Sequence, residues 1–219
     1  MNKNHELDFE RKNRIGIAES IFCQNKNLSQ ILGIIKDLST KESTLFTRLD
    51  ENKYKKLPIK IRKIFKYHKE SKTAIYGKTP KLNNTNKIAL ISAGTSDTSS
   101  LMEAKYTLLC SGYDTETFID IGVAGLWRLQ KHIKKISTFD IVIVAAGMDG
   151  ALVSVIGGLI SNPIIAIPTS TGYGVSNEGK TALNAMLASC APGISVVNID
   201  NGYGAACAAI RILNNGKKT

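Results

Sequence analysis

The sequence predicts an α/β protein, with a doubly wound parallel sheet in its second half and a small α/β appendage before it. Three observations predict this fold. Short apolar runs recur after residue 87, helix-like segments separate them, and the net charge of +11 lies entirely before residue 88. Residues 1–87 hold 20 Lys and Arg against 9 Asp and Glu, whereas residues 88–219 hold 9 of each. The change predicts a basic N-terminal region and linker over 1–86 and a catalytic sheet domain over 87–219.

Five runs after residue 87 are predicted to be strands, because they are apolar on both faces as in a parallel sheet covered by helices. These runs cover 88–92, 114–119, 141–145, 164–167 and 194–197. The predicted helices cover 99–111, 124–135, 151–160, 180–189 and 205–213. Ligands of such sheets bind outside the carboxyl ends of the strands, so the loops there are expected to carry the function.

The basic N-terminal region shows helical spacing of apolar residues and two strand-like runs. The predicted helices cover 7–14, 28–38 and a lysine-rich segment at 51–65, and the predicted strands cover 43–47 and 73–76. Residues 77–86 are polar and rich in turn formers, which predicts a linker.

Composition excludes several classes of protein. The most apolar stretch, 151–169, is interrupted by Gly157, Gly158 and Pro163, so no membrane span is predicted. The N-terminus has no apolar core, so no secretory signal is predicted. The four cysteines lack metal-ligand spacing, which predicts reduced thiols in a cytoplasmic protein and no metal site. The lysines lie among Asn, Ser and Thr without interleaved aromatic residues, which favours a solvated face over a nucleic-acid site.

The first two loops of the predicted sheet carry candidate ligand-binding residues. The first contains Gly94, Thr95, Ser96 and Asp97 before a helix. A helix N-terminus binds anions, although Ser96 or Asp97 could equally be an N-cap. In the second, Asp149 follows Gly147 and Met148 and could be a general base or another cap.

The later loops are rich in hydroxyl groups and glycine. Thr169, Ser170 and Tyr173 lie on the third loop, which read alone could be merely flexible. Cys190 ends a predicted helix, where the macrodipole does not activate a thiol, so the residues alone favour a buried structural cysteine. Asn198 and Asn201 follow the last strand. Four polar loops at one sheet edge together predict a site for a phosphate-bearing small molecule.

Six motifs in the second half carry a family resemblance. They are AGTSD (93–97), IGVAGLWRL (121–129), VIVAAGMDGAL (142–152), PIIAIPTSTGYG (163–174), SCAPG (189–193) and VVNIDNGYGAA (196–206), with weaker N-terminal matches that include Phe46, Thr47 and Arg48. In their order and spacing they resemble the LarB family of pyridinium-3,5-biscarboxylic acid mononucleotide synthases, which make a nickel-pincer cofactor. That family belongs to the PurE superfamily, named for phosphoribosylaminoimidazole (AIR) carboxylase.

The resemblance implies a reaction and a set of residues. The substrates would be nicotinic acid adenine dinucleotide and CO₂ or bicarbonate, and the products the biscarboxylated mononucleotide and AMP. Cys190 matches the family's nucleophile and Asp149 stands where a Glu base is usual. The implied substrate-binding residues are Gly94, Thr95, Ser96, Asp97, the turn at Gly122 and Val123, Arg128, Gly147, Met148, Thr169, Ser170, Tyr173, Asn198 and Asn201. Mg²⁺ would enter with the substrate phosphates, no tightly bound organic cofactor is implied, and the assembly would be an octamer.

The chain departs from the family pattern at several positions. Besides Asp149, Trp127 stands where a histidine is usual, residues 98–100 replace a Leu-Pro pair, and Ala18 replaces a proline. Two alternatives therefore remain: an AIR carboxylase-type purine enzyme and a non-catalytic nucleotide-binding homologue. The first is disfavoured because AIR is already an enamine and needs no thiol, whereas its reaction uses for proton transfer the histidine that Trp127 replaces.

Overall fold

The N-terminal unit is built on a four-stranded sheet. The computed structural model describes residues 5–215, except for the side chains of residues 84–86. The elements of this unit are α1 (Arg11–Ile15), β1 (Ser20–Phe22), α2 (Leu28–Asp37), β2 (Ser43–Thr47), α3 (Glu51–Lys55), α4 (Ile59–Arg62), β3 (Phe65–His68) and β4 (Thr73–Gly77). The strand order is β1-β2-β4-β3, with β1 and β2 parallel and the other pairs antiparallel.

The predicted helix over 51–65 is wrong, because the segment breaks in the middle. Proline has no backbone N–H and disfavours helical backbone in the residue before it, so Pro58 separates α3 from α4. Phe65 then enters strand β3, which pairs with β4. Its ring packs edge-on against Phe46 with 5.0 Å between centroids. Burial of this aromatic pair therefore overrides the helical pattern at the end of the segment.

The second sheet confirms the predicted doubly wound parallel architecture. Its elements are β5 (Asn83–Ser92), α5 (Thr98–Cys110), β6 (Tyr113–Phe118), α6 (Leu126–Ile136), β7 (Ile141–Ala146), α7 (Ala151–Gly157), β8 (Ile164–Pro168), α8 (Lys180–Leu187), β9 (Ser195–Val196) and α9 (Gly202–Asn215). All pairs are parallel and the order is β6-β5-β7-β8-β9. Every residue of β7 is buried, as expected for the central strand.

Helices cover both faces of this sheet. One hydrophobic cluster lies under α5 and α9, with Leu101 and Ala205 among its members. The opposite cluster lies under α6, α7 and α8 and includes Leu129 and Met186. The helices of both layers run antiparallel to the strands. The loops that lead from each strand into the next helix therefore all lie at the carboxyl edge of the sheet. Within the described residues, no helix has the length and apolar character needed to cross a membrane.

The predicted linker over 77–86 is too long at its C-terminal end, because β5 begins at Asn83. The amide of Asn83 donates a hydrogen bond to the carbonyl of Gly112 (2.7 Å), and the pairing with β6 shifts register between Asn83 and Ile88. Backbone pairing needs no apolar side chain, so a polar segment can extend a strand whose partner is already in place.

The N-terminal unit rests on α5 through polar and stacking contacts. The Ser43 hydroxyl donates to the carbonyl of Cys110 (3.0 Å), and the Ser99 hydroxyl donates to the carbonyl of Glu70 (2.9 Å). His68 stacks on Tyr106 at 3.4 Å between centroids. These contacts bring the N-terminal unit close to the loop edge of the second sheet.

Candidate active site

The candidate site lies where the strand order of the second sheet reverses, beside the carboxyl ends of β5 and β7. The amide of Ala93 donates to the carbonyl of Ala145 (3.0 Å), and the amide of Thr169 donates to that of Ala146 (3.0 Å). Three loops therefore leave the sheet side by side. Such a reversal opens a crevice between neighbouring loops, which is where open α/β sheets bind ligands.

Asp97 holds the first of these loops in place. Its carboxylate accepts hydrogen bonds from the amide of Gly94 (2.9 Å) and the hydroxyl of Thr169 (2.5 Å), and the residue is only 4% exposed. Both oxygens are thus occupied by the protein itself. Thr95 and Ser96, which belong to the same turn, are exposed. Asp97 is therefore placed to fix the two loops relative to one another beneath these hydroxyl groups.

A cavity of about 400 Å³ lies between these loops and the N-terminal unit. Its sheet-side wall is formed by Ser96, Ser99, Ser100, Glu103, Thr169, Ser170, Thr171 and Asp200. Its other wall is formed by Gln24, Arg48, Asp50, Lys53, Ser71 and Lys72. Of the residues singled out from the sequence, Ser96, Thr169 and Ser170 line the cavity. Its volume lies within the range typical of small-molecule sites.

Arg48 joins the two walls of the cavity. Its Nε donates to Oε1 of Glu103 (3.1 Å), and its Nη2 donates to the backbone carbonyl of Asp200. The other Glu103 oxygen accepts from the amide of Tyr203 (3.2 Å) at the start of α9. Burial raises the pKa of Glu103, while Arg48 acts in the opposite direction. This ion pair ties the N-terminal unit to both α5 and α9.

The carboxylate of Asp200 is held by the sheet-side wall. Its Oδ1 accepts hydrogen bonds from the hydroxyl of Ser100 (3.1 Å) and the amide of Ser170 (3.0 Å). Sequence reasoning did not single out Arg48, Glu103 or Asp200 as site residues. One signal was available for Glu103, a lone carboxylate in the otherwise apolar helix stretch 101–104, which indicates a buried partner.

The loop after β7 lies against the loop after β8. A side chain at Gly147 would collide with Thr171, whose carbonyl would be 2.5 Å from the added Cβ, and the amide of Met148 donates to that carbonyl (2.9 Å). Asp149 is exposed, and its carboxylate accepts from the amide of Ala151 (3.2 Å). Asp149 therefore combines a helix-start contact with access to solvent.

Cys190 is exposed and lies away from the cavity. The hydroxyls of Ser189 and Ser154 are 2.7 Å apart, and Ala191 lies against Gly157 at the end of α7. These contacts place Cys190 toward the amino ends of the strands. Cys23, by contrast, is buried, and burial raises its thiol pKa to about 12. The expectation of a buried cysteine at 190 is wrong, because the helix before it ends at Leu187 and leaves the thiol on a surface turn.

The other predicted binding residues occupy neighbouring loops. Arg128 donates to the carboxylate of Asp120 (2.5 Å), and Gly122 packs so closely on Ala93 that an added Cβ would be 2.7 Å from its carbonyl. Asn201 caps α9 by accepting from the amide of Gly204 (2.8 Å). Asn198 accepts from the amide of its neighbour Ile199 (2.8 Å). These residues belong to the loop edge but do not line the cavity.

Metal-binding side chains do not cluster in the part of the chain that the structure describes. Over residues 5–215, no group of three or more His, Cys, Asp or Glu side chains could hold a metal ion. The cavity carboxylates are already engaged: Glu103 binds Arg48, Asp200 binds Ser100 and Ser170, and Asp50 caps α3 through the amide of Asn52 (2.8 Å).

Comparison with known proteins places this geometry in a family. The AIR carboxylase family matches residues 87–219, which is more than half of the chain and includes the whole loop edge. The chain belongs to the AIR carboxylase family. The LarB/PurE-like N-terminal domain family matches residues 3–78, so this AIR carboxylase-family chain is of the LarB type within the PurE superfamily. A protein of Methanocaldococcus jannaschii, named as uncharacterized, is 39% identical over 210 residues, covering 91% of this chain and 80% of the relative.

Proposed function

We propose that the chain carboxylates the pyridinium ring of nicotinic acid adenine dinucleotide and hydrolyses its phosphoanhydride, for synthesis of a nickel-pincer cofactor. The products would be pyridinium-3,5-biscarboxylic acid mononucleotide and AMP. Family membership makes the chain a carboxylase of the PurE superfamily. The observation that carries the finer proposal is the exposed Cys190, held on a surface turn of such a carboxylase.

The chemistry explains why a thiol is needed. A pyridinium ring is electron-poor and cannot attack CO₂. When the Cys190 thiolate adds to a ring carbon, an S–C bond forms and a π electron pair moves to the ring nitrogen, which becomes neutral. The product is an enamine whose neighbouring carbon attacks CO₂ and forms the new C–C bond. Covalent catalysis thus replaces one inaccessible step by two accessible ones.

Release of the thiol needs a base. After carboxylation, the ring carbon that bears the new carboxylate still carries its proton. Asp149 would take this proton, the enamine electrons would expel the thiolate, and the aromatic pyridinium would return. The carboxylate of Asp149 is exposed and bound only weakly, through one 3.2 Å contact to the amide of Ala151. It therefore has a free oxygen for this role.

The cavity at the carboxyl edge supports binding of the phosphates. Ser96 and Ser170 line it from the sheet side and supply hydroxyl groups. CO₂ or bicarbonate supplies the new carboxyl group. Mg²⁺ would enter with the substrate phosphates, as the family resemblance implies.

The AIR carboxylase reaction itself is a poorer fit. Its proton transfer needs a histidine near the substrate, and the sequence has only His5, His68 and His132. His5 binds Asp37, His68 stacks on Tyr106, and His132 packs on Phe118.

The proposed reaction requires more than one copy of the chain. Cys190 lies away from the cavity of its own chain, whereas large apolar side chains stand exposed near the loop edge, with Tyr173 at 82% and Val175 at 91%. We propose that copies pack through this apolar loop into the octamer that the superfamily resemblance implies, so that Cys190 of one copy completes the site of another.

The Val175→Asp variant tests this assembly. A charge in an apolar interface is costly to bury, so light scattering should detect species smaller than the wild-type octamer, and AMP release should fall with them. The matched control is Ile59→Asp, which places the same charge on an exposed apolar residue of the N-terminal unit. A monomeric wild-type protein, or a Val175→Asp variant of unchanged mass, would contradict the proposal.

The reaction is tested directly with the purified protein. Incubation with nicotinic acid adenine dinucleotide, bicarbonate and Mg²⁺ should release AMP and yield a mononucleotide heavier by one CO₂, detected by chromatography and mass spectrometry. Parallel incubation with AIR tests the purine reaction. A folded protein that releases no AMP would refute the proposed function and favour a non-catalytic nucleotide-binding role.

A further inference from the structure

The N-terminal wall of the cavity holds two ammonium groups without a carboxylate partner among the described residues. The Nζ of Lys53 donates only to backbone carbonyls, those of Cys23 (2.9 Å) and Gln24 (2.8 Å). The ammonium of Lys72 has neither a hydrogen bond nor an ion pair within residues 5–215. Carbonyl dipoles orient an ammonium group but leave its charge, so both side chains keep a net positive charge at the cavity.

The carboxylates of the cavity form no ion pair with either lysine within the described residues. Glu103 is paired with Arg48. Asp200 and Asp50 keep their charge, but their described contacts are to Ser100 and Ser170 and to the amide of Asn52. Both ammonium groups therefore remain available to an anionic ligand, across from Ser96 and Ser170 on the facing wall.

The backbone fixes the position of Lys72. Lys72 has a φ of 51°, in the left-handed region that few non-glycine residues adopt, and its carbonyl accepts from the amide of Leu49 (2.7 Å). Arg48, which precedes Leu49 in the chain, has a φ of 52° and is itself anchored to Glu103. A lysine on a backbone held in this way is presented to the cavity rather than trailing on a mobile loop.

The size of the cavity and the position of Asp149 indicate which part of a dinucleotide it holds. A volume of about 400 Å³ is suited to one nucleotide. The reacting pyridinium ring must meet the proposed base Asp149, which does not line this cavity. The half that remains for the cavity is the adenylate.

We propose that the N-terminal unit forms the adenylate subsite, in which Lys53 and Lys72 bind the phosphate of the AMP half across from the hydroxyls of Ser96 and Ser170. This inference rests on the proposed function and extends it. Water attacks the phosphorus of the nicotinate half, forms a new P–O bond and loses a proton to solvent, while the bridging P–O bond breaks and leaves its electron pair as negative charge on the AMP phosphate. The two ammonium groups stabilise that charge, and AMP leaves from this subsite.

Calorimetric titration of the wild-type protein with AMP and with adenosine tests the subsite. AMP should bind at least tenfold more tightly than adenosine, because only AMP carries the phosphate. Lys72→Met should weaken AMP binding by about tenfold and leave adenosine binding unchanged, and Lys53→Met should do the same. Thermal melting establishes that each variant is folded.

The matched control is Lys78→Met, an exposed lysine of the same unit that does not line the cavity. Its AMP affinity should equal that of the wild type. Equal AMP affinity in Lys72→Met and wild type, an equal loss in Lys78→Met, or no AMP binding by the wild type would each overturn the subsite. If AMP binding depends on Lys72 but the dinucleotide is not turned over, the subsite stands and the proposed reaction fails. If the dinucleotide is turned over but Lys72→Met binds AMP as tightly as the wild type, the proposed reaction stands and the subsite fails.

Discussion

Replacement of Cys190 by alanine should lower the rate of formation of the carboxylated product by about 10³-fold or more. Without the thiolate the pyridinium ring cannot become an enamine, so the remaining groups can bind the substrate but cannot generate its nucleophilic carbon. The measurement is product formation from nicotinic acid adenine dinucleotide and bicarbonate, followed by mass spectrometry. Cys190 is exposed, so the variant loses little packing and should melt at the wild-type temperature.

Cys207→Ala is the matched control, since it removes a thiol that is half-buried beside Tyr203. Its activity should remain close to that of the wild type. Cys190→Ser distinguishes the chemistry further, because a hydroxyl of similar size is a far weaker nucleophile and should be nearly as inactive as alanine. Full activity in Cys190→Ala would rule out the covalent mechanism.

Replacement of Arg48 by methionine should lower the free energy of unfolding by about 2 kcal/mol or more at neutral pH. The change leaves the carboxylate of Glu103 buried, with 4% of its side chain exposed, and without its cation. Loss of one partner of a fully buried pair costs about 3–5 kcal/mol, and the 35% exposure of Arg48 lowers that figure through solvent screening. Urea denaturation measures the difference.

The same variant should show a characteristic pH dependence. Burial raises the pKa of Glu103 in the folded protein, and removal of Arg48 removes an effect that opposes the rise. A carboxyl group with a raised folded pKa favours folding when protonated, and this stabilisation is lost as pH rises through that pKa. The deficit of Arg48→Met relative to wild type should therefore be larger at pH 8 than at pH 5.

Glu103→Gln in the Arg48→Met background supplies the control. A neutral amide has no charge to leave unpaired, so the double variant should be more stable at pH 8 than Arg48→Met alone and should lose the extra pH dependence. If the deficit of Arg48→Met is the same at both pH values and Glu103→Gln gives no relief, the ion pair does not hold the two units together.

Much of the fold could be predicted because its signals are local. Runs of apolar residues on both faces identified the central strands, and the change in charge separated the basic N-terminal region from the sheet. The prediction errors arise where long-range packing determines the secondary structure of a segment. Phe65 leaves a helical pattern to pair with β4, and Asn83 extends β5 because the neighbouring strand offers its backbone.

The candidate site could be predicted only in part. Loop composition identified Ser96, Thr169 and Ser170, which do line the cavity. Arg48 and Lys72 come from a separate unit, and no spacing in the sequence relates them to the loops of the sheet. Cys190 shows the converse, because motif order groups it with those loops whereas the turn after α8 carries it away from them.

Residues close together in the chain specify the doubly wound sheet, the polar loops at its carboxyl edge and the SCAPG cysteine. Only the folded chain shows that the N-terminal unit closes a cavity over those loops, that Glu103 is paired with Arg48, and that Cys190 is exposed away from that cavity. These features could not be predicted because docking of one unit on another depends on surfaces assembled from distant segments. Burial of a charge such as Glu103 is possible only where that docking brings its counter-charge.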